Sequence, residues 1–427
     1  MKWHTRTAVV ALVLSALALA GCSENSQGQP VGPHFVALPY SVVMRDPAVS
    51  LVGLNPGDRV RLTAYVDAPG GRWQSHATYT VPATGTIDFA AARPQLAPFG
   101  SPDASGLVWS LRGPALPPDV AAHVWTESIL ALHIAAVDNG ALVASTVVDL
   151  TGLGMMVKPL TVFGYQLRGP RAHPSTTEED YAVGRFYPPQ FPLRPRAPAI
   201  LIFDDDTTGA SEQYVAPFFS LLGNAVFVIP AERTPDGVHL ASTYSADRIG
   251  AIIAWLANRP EVDPHHIFVY GSSQSEQVAL WTAAHFSSLI FGAFGAAGTT
   301  ALLCSHEDAL SMVLDGSGHA PCASNGNLVD DRRVVSLAKL AGPVLLACSR
   351  SDEILPVACG WQESAMRQRG ARPDDVLIQF DAAAHAITVP PGYPIALPSA
   401  AGAQATERAR MTFWNAIARA LQRTAVL

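Results

Sequence analysis

One short stretch, residues 267–281, constrains the fold of this chain more than any other. Four apolar residues end at Gly271, small residues follow, and good helix formers then lead to Trp281. This pattern predicts a strand, a sharp turn that contains Ser273, and a helix. Such a turn lifts the serine hydroxyl above the sheet, beside free N–H groups that stabilise an oxyanion. The stretch therefore predicts a nucleophile elbow of the G-x-S-x-G type, with Ser275 in place of the second glycine; a plain strand-to-helix turn is the alternative.

A serine nucleophile needs a histidine base, which is in turn oriented by a carboxylate. Asp352 and His385 each follow an apolar run that predicts a strand. In a hydrolase sheet the acid and the histidine come after the serine, from the ends of later strands. We therefore predict a triad of Ser273, Asp352 and His385. Glu353 is the alternative acid, and His385 is one of 13 histidines.

In the second half of the chain, short apolar runs typical of buried strands alternate with segments that have helical spacing. This alternation predicts a mostly parallel sheet with helices. The predicted strands are 199–203, 225–229, 267–270, 344–348 and 376–380, and the predicted helices include 214–222 and 246–257. We assign residues 196–424 to this domain.

The first half has short alternating runs separated by turn residues, as in 59–66, 76–81 and 129–137. Strands at this spacing favour a sandwich of two sheets, and we predict an all-β immunoglobulin-like sandwich over residues 35–166. Residues 167–195 are rich in proline and charge and are interpreted as a connector.

Composition narrows the choice of partners. The 427 residues are 49% hydrophobic and 15% charged, with a net charge of −7. No basic stripe is present, so we expect no nucleic acid partner.

The N-terminus has the pattern of a targeting segment. Lys2 and Arg6 precede an apolar run, residues 8–20, that is too short for a permanent membrane helix. The run ends in Leu-Ala-Gly-Cys, which resembles the lipobox of bacterial lipoproteins and implies lipidation of Cys22. We predict a lipoprotein signal peptide over residues 1–22, a flexible spacer over 23–34, and an extracytoplasmic protein held at a membrane. An ordinary secretory signal is the alternative.

Four cysteines remain after Cys22. Export to an oxidising compartment favours disulfides, and pairing of sequence neighbours gives Cys304–Cys322 and Cys348–Cys359. Two other pairings and a metal site remain alternatives.

Several segments resemble the family of acyl-CoA thioesterases and bile-acid-CoA:amino-acid N-acyltransferases. The segments in the first half are residues 72–77, 85–88 and 106–111, and those in the second half are 184–189, the elbow, 351–352, and His385 with 390–394. This resemblance implies a β-sandwich joined to an α/β-hydrolase domain. It also implies Ser273 as nucleophile, Asp352 as acid and His385 as base.

The resemblance further implies hydrolysis rather than amide formation, because the amino-acid-conjugating relatives use cysteine where this chain has Ser273. The expected substrate is a small acyl thioester or ester, and no cofactor is needed. An oxyanion hole is expected from the N–H of Gln274 and one N–H from residues 204–208, with Asp204 and Asp205 as candidates.

Two features depart from the family pattern. Three aspartates, residues 204–206, stand where the family has a glycine-rich loop. A carboxylate about 6 Å from the oxyanion would oppose it by roughly 2–3 kcal/mol, unless it points away or a cation neutralises it. The predicted export is the second departure, since coenzyme A belongs to the cytoplasm. A carboxylesterase for another extracytoplasmic substrate, and a non-catalytic tethered binding protein, are therefore alternatives.

Overall fold

The structure is a computed structural model that describes residues 32–43, 47–168, 181–204, 211–231, 244–304, 313–315, 318–395 and 400–426. Within these ranges, no helix combines the length and the apolar character needed to cross a membrane. The predicted signal peptide, Cys22 and most of the predicted spacer lie outside the described residues.

Among the described residues, the first unit contains eight strands in two sheets. These are β1 His34–Ala37, β2 Tyr40–Val42, β3 Val49–Val52, β4 Arg59–Ala68, β5 Gly71–Thr80, β6 Ile87–Asp88, β7 Ile129–Asp138 and β8 Ala141–Thr151. One sheet has the order β2-β8-β7-β4-β5 and the other the order β1-β3-β6. Two helices, α1 Gly106–Trp109 and α2 Pro118–Thr126, lie between β6 and β7 in the chain.

The hairpin of β7 and β8 shows how the sequence sets this unit. Its turn is Asn139-Gly140, and both residues have positive φ, 47° and 83°. Asn-Gly is the preferred pair for such a two-residue turn, which matches the twist of the flanking strands. Along β7 every second side chain is buried, so one face of the hairpin packs against the core.

The second unit is built on an eight-stranded sheet. Its strands are β9 Leu160–Phe163, β10 Ala182–Tyr187, β11 Ala197–Asp204, β12 Ala225–Pro230, β14 Val262–Ser272, β15 Gly292–Ala296, β18 Val344–Ser349 and β19 Val376–Phe380. Their order is β9-β10-β12-β11-β14-β15-β18-β19. β10 is antiparallel to both neighbours, and the strands from β12 to β19 are parallel.

Helices and a small sheet complete this unit. The helices are α3 Ser211–Leu221, α4 Ala246–Ala257, α5 Gln274–His285, α6 Ala358–Arg369 and α7 Ala400–Val426. The small sheet consists of β13 Tyr244–Ser245, β16 Val313–Asp315 and β17 Gly318–His319. Two short 3-10 helices, Leu153–Met156 and Gly164–Arg168, flank β9.

Two strands of the large sheet lie outside residues 196–424, the range predicted for the second domain. β9 lies within the range assigned to the sandwich, and β10 lies within residues 167–195, yet both are strands of the large sheet. β10 pairs with β12 some forty residues later in the chain, and a long-range pairing of this kind leaves little local signal.

The two units share one apolar core. Leu51 and Trp125 from the first unit belong to the same buried cluster as Tyr270 and Trp414 from the second. Trp414 on α7 lies 5.8 Å from the ring of Tyr270 on β14. The C-terminal helix therefore packs against the strand that leads to the elbow.

Candidate active site

The elbow is formed where β14 ends and α5 begins. Ser273 lies between them with φ 52° and ψ −123°, a left-handed conformation that a non-glycine residue adopts only under constraint. Gly271 is required two residues earlier, because a Cβ there would lie 2.6 Å from the Cα of Glu276. Strand and helix therefore touch as a nucleophile elbow demands.

Ser275 replaces the second glycine of the motif without opening the turn. Its hydroxyl accepts a hydrogen bond from the Ser272 N–H at 3.0 Å and donates to the Ser272 carbonyl at 2.9 Å. The side chain is buried against the turn that it closes. A serine at this position thus stabilises the turn through two hydrogen bonds to the Ser272 backbone.

The structure brings Asp352 and His385 to Ser273. Nδ1 of His385 lies 2.8 and 2.9 Å from the two carboxylate oxygens of Asp352, and Nε2 lies 2.8 Å from the Ser273 hydroxyl oxygen. Because a carboxylate only accepts, Nδ1 carries the proton and donates it, which leaves Nε2 to accept from the serine. This is the geometry of a nucleophile with an oriented general base.

The Asp352 carboxyl is held in its charged form. Burial raises its pKa, but the hydrogen bonds from the His385 ring and from the N–H groups of Leu355 and Ile354 together outweigh burial, so the pKa lies below the ordinary 3.8. Those N–H groups donate to the carboxylate at 2.8 and 2.9 Å. Its side chain is fully buried, so this charge acts on the imidazole with little screening by water.

The alternative acid, Glu353, makes a different contact. Its carboxylate accepts a hydrogen bond from the backbone N–H of His385 at 3.0 Å. Adjacent acidic residues therefore hold the same histidine: Asp352 binds the ring of His385, and Glu353 binds its backbone N–H.

The helix α7 fixes the segment that follows His385. The buried guanidinium of Arg410 donates to the carbonyls of Ala386, Tyr393 and Ile395 at 2.9, 3.0 and 2.8 Å. Glu407 accepts from the Gly392 N–H at 2.6 Å and lies 3.5 Å from the Arg410 guanidinium.

Burial raises the pKa of Glu407, against the opposing charge of Arg410. The hydrogen bonds of Arg410 and Glu407 thus anchor the loop that contains His385 to the long helix α7. This pair was not predicted from the sequence. Its local signal is the i, i+3 spacing of opposite charges, on a helix that also carries Arg408, Arg419 and Arg423.

A second buried acid, Glu276, lies in the first turn of α5. It accepts from the Gly298 N–H at 2.6 Å, and the Gln362 amide donates to its two oxygens at 3.0 and 3.2 Å. Burial raises its pKa well above the ordinary 4.5, against the effect of those donors. Glu276 connects the elbow helix to the segment after β15 and to α6. It was not predicted from the sequence.

The oxyanion donors can be placed only in part. Gln274 is the first residue of α5, directly after Ser273, where the helix N-terminus points its N–H groups towards the serine. Asp204 ends β11, and its carbonyl accepts from the Tyr244 hydroxyl at 2.7 Å. Asp205 and Asp206 lie outside the described residues. A second donor from 204–208 therefore stays a prediction.

Two disulfides join the sequence neighbours, Cys304 with Cys322 and Cys348 with Cys359. The second pair encloses Asp352, since Cys348 lies in β18 and Cys359 in the first turn of α6. Across the described ranges, no group of three or more His, Cys, Asp or Glu side chains is placed to hold a metal ion.

An elbow on a mostly parallel sheet, followed in chain order by the acid and the histidine, defines an α/β-hydrolase fold. Residues 46–150 match the family model described as the N-terminal region of acyl-CoA thioester hydrolase/BAAT. The predicted resemblance to that family is thus confirmed over the first unit.

Solved structures similar to this chain include esterases. One is a hyperthermophilic esterase from Pyrobaculum calidifontis, 16% identical, with a TM-score of 0.39, covering 64% of this chain and 86% of its own. Another is carboxyl esterase 2 from Tuber melanosporum, 16% identical, with a TM-score of 0.41, covering 62% and 88%. A third is a dienelactone hydrolase from Anabaena variabilis, 17% identical, with a TM-score of 0.35, covering 60% and 96%. No curated protein sequence matches the chain.

Proposed function

We propose that this protein is a serine hydrolase that cleaves a small acyl thioester or ester through an acyl-serine intermediate. The observation that carries this proposal is the continuous contact from Asp352 through the His385 ring to the Ser273 hydroxyl, at 2.8 Å on each side. The strained backbone of Ser273 supports it, because backbone strain of this kind is typical of an activated nucleophile at an elbow.

The reaction follows from these contacts. Ser273 attacks the acyl carbonyl carbon while its proton passes to Nε2 of His385, and the carbonyl oxygen becomes an oxyanion beside the Gln274 N–H. When this tetrahedral intermediate collapses, the bond from the acyl carbon to the leaving sulfur or oxygen breaks, and His385 donates its proton to the leaving group, which departs as a thiol or alcohol. Water then attacks the acyl-serine, His385 takes its proton and returns it to Ser273, and the acid is released. Asp352 holds the imidazole in the required tautomer throughout.

A serine nucleophile favours hydrolysis over amide formation. Thioesters are readily attacked by amines, whereas an oxygen ester at Ser273 is a weaker acyl donor to amines, so water is the proposed acceptor. The family model for the first unit supports a thioester among the substrates. No step requires a cofactor.

The proposed location is outside the cytoplasm, with a lipid on Cys22 as the membrane anchor. Two disulfides support it, because such bonds persist in oxidising compartments. We also propose that the first unit is an immunoglobulin-like sandwich, on the basis of its two sheets with a shared core.

A substrate comparison tests the proposed reaction. The chain from Ser23 onward is offered acyl-CoA and p-nitrophenyl esters of matched acyl length, with free thiol and p-nitrophenol as readouts. Turnover of acyl-CoA supports the thioesterase form, and turnover of simple esters alone supports a carboxylesterase with another substrate. Turnover of neither would contradict the proposal and favour the tethered binding protein.

A further inference from the structure

The loop of residues 188–196, here called the proline loop, presents apolar side chains to solvent. Phe191 is 80% exposed and Leu193 is 72% exposed, among the highest values for large apolar residues in the described chain. Four prolines in the loop restrict its backbone. Exposed apolar side chains on a stiff loop mark a surface that contacts something apolar.

The loop is held in this shape by hydrogen bonds at its base. The Gln190 N–H donates to the Ser220 carbonyl at 2.8 Å, and the Ser220 hydroxyl donates to the Pro188 carbonyl at 2.7 Å. Phe191 has φ 50°, a left-handed conformation that is unfavourable for an aromatic residue. The fold thus tolerates strain where Phe191 is presented to solvent.

Two arginines accompany the exposed apolar side chains. A pocket of about 250 Å³ behind the loop is lined by Leu193, Arg194, Arg196 and Leu421, and no carboxylate lines it. Neither Arg194 nor Arg196 forms an ion pair within the described ranges, whereas Arg369 is paired with Asp375 at 2.6 Å. A chain with a net charge of −7 therefore shows a local patch that is basic and apolar together.

We propose that the proline loop docks on the surface of a lipid bilayer that contains anionic headgroups. Phe191 and Leu193 enter the interface, and the two guanidinium groups contact lipid phosphates. An anionic bilayer fits this patch because it offers phosphates above an apolar layer. The predicted lipid on Cys22 would keep the protein attached, and the loop would then set its orientation.

Docking through this loop fixes where the active site faces. The loop precedes β11, at the N-terminal ends of the parallel strands, and Ser273 follows the C-terminal end of β14. β11 has 8 residues, and at about 3.3 Å per residue its two ends are roughly 25 Å apart. The triad therefore faces away from the bilayer, which, resting on the proposed function, predicts a substrate that arrives from the aqueous phase.

Vesicle sedimentation tests the docking without reference to catalysis. The chain from Ser23 onward retains every described residue and lacks Cys22. We expect it to bind vesicles of phosphatidylcholine with 30% phosphatidylglycerol, and to bind pure phosphatidylcholine at least tenfold more weakly. The double variant Phe191→Asn, Leu193→Ser should lose more than tenfold in binding, and Arg194→Gln, Arg196→Gln should lose the preference for anionic vesicles. Asn is chosen at 191 because it tolerates a left-handed backbone.

The control is Leu328→Ser, which removes another exposed apolar side chain, 68% exposed, far from the loop in sequence. It should bind as the parent does. No variant should melt far below the parent, because Phe191, Leu193, Arg196 and Leu328 are exposed and Arg194 is half-buried. Absence of vesicle binding by the parent, or equal binding by the Phe191 and Leu193 variant, would overturn the proposal. A dimer that this variant dissociates, without vesicle binding, would also overturn it by assigning the surface to self-association.

Discussion

The carboxylate of Glu353 lies 3.0 Å from the backbone nitrogen of His385, while the neighbouring Asp352 holds the ring of the same histidine. Two consecutive acidic residues thus act on one residue in different ways. Only the contact with the ring can select a tautomer or stabilise an imidazolium.

This difference separates the effects of two isosteric substitutions. Asp352→Asn should lower kcat by about 10³–10⁴, because an amide cannot hold the required tautomer. Glu353→Gln keeps an oxygen that accepts the His385 N–H, so kcat should change by less than about tenfold. Steady-state kinetics of both variants on one ester substrate provides the comparison. Equal losses would mean that Glu353 takes part as the acid.

Arg410 is predicted to act on catalysis through the position of His385. Lysine keeps the charge beside Glu407 but cannot reach three carbonyls as the guanidinium does. Arg410→Lys should therefore lower kcat by about 10- to 100-fold with KM nearly unchanged, since the base and not the substrate is displaced.

Arg408→Lys is the matched control for Arg410→Lys, because Arg408 is an exposed arginine on the same helix. It should leave kcat unchanged. Loss of stability in Arg410→Lys without any loss of kcat would contradict a positioning role.

Glu276 should make the stability of the protein depend on pH. Its pKa is raised in the folded state, so the folded protein binds more protons than the unfolded chain above pH 4.5. The free energy of unfolding should then fall as pH rises from 4.5 towards the raised pKa. Glu276→Gln removes the titration and keeps an acceptor for the Gly298 N–H. Melting temperatures from pH 5 to 8 should converge at the acid end, with the variant more stable at pH 8. Parallel curves would refute this.

The two disulfides should differ in their effect on catalysis. Their sequence separations are 11 and 18 residues, so loss of either should destabilise the fold by a similar amount, about 3 kcal/mol. Only the Cys348–Cys359 bond encloses Asp352. Cys348→Ala with Cys359→Ala should therefore lower kcat as well, whereas Cys304→Ala with Cys322→Ala should not. Chemical denaturation and kinetics of both double variants check this, and an equal effect on kcat would contradict it.

The sequence predicted the parts of the fold whose signals are local. The elbow is preceded by an apolar run and contains Gly271 and small residues. The strand before Asp352 is buried along its whole length and is mostly apolar, as expected inside a parallel sheet. The strand before His385 is half-buried at the sheet edge, and four of its five residues are apolar. Each of the three predicted triad residues follows the strand expected for it. The chemical roles of these residues remain predictions that the variants above test.

The sequence did not predict what depends on distant contacts. β10 lies within residues 167–195, whose proline and charge content predicts a connector, and it contains Gly184. The structure gives the reason for this glycine, since a Cβ there would lie 2.3 Å from the Val228 carbonyl on β12. The contacts from Arg410 to the segment after His385 likewise join residues 15 to 24 positions apart, which no local periodicity reports.

Labelling with a fluorophosphonate probe separates a catalytic serine from an inert one, because only an activated serine reacts. We expect one probe per chain of the protein from Ser23 onward, located at Ser273 by peptide mass spectrometry, and no labelling of Ser273→Ala. We also expect the labelled protein to have lost its ester hydrolysis. A folded protein that takes up no probe, or that is labelled equally after Ser273→Ala, would contradict the claim that Ser273 is a catalytic nucleophile.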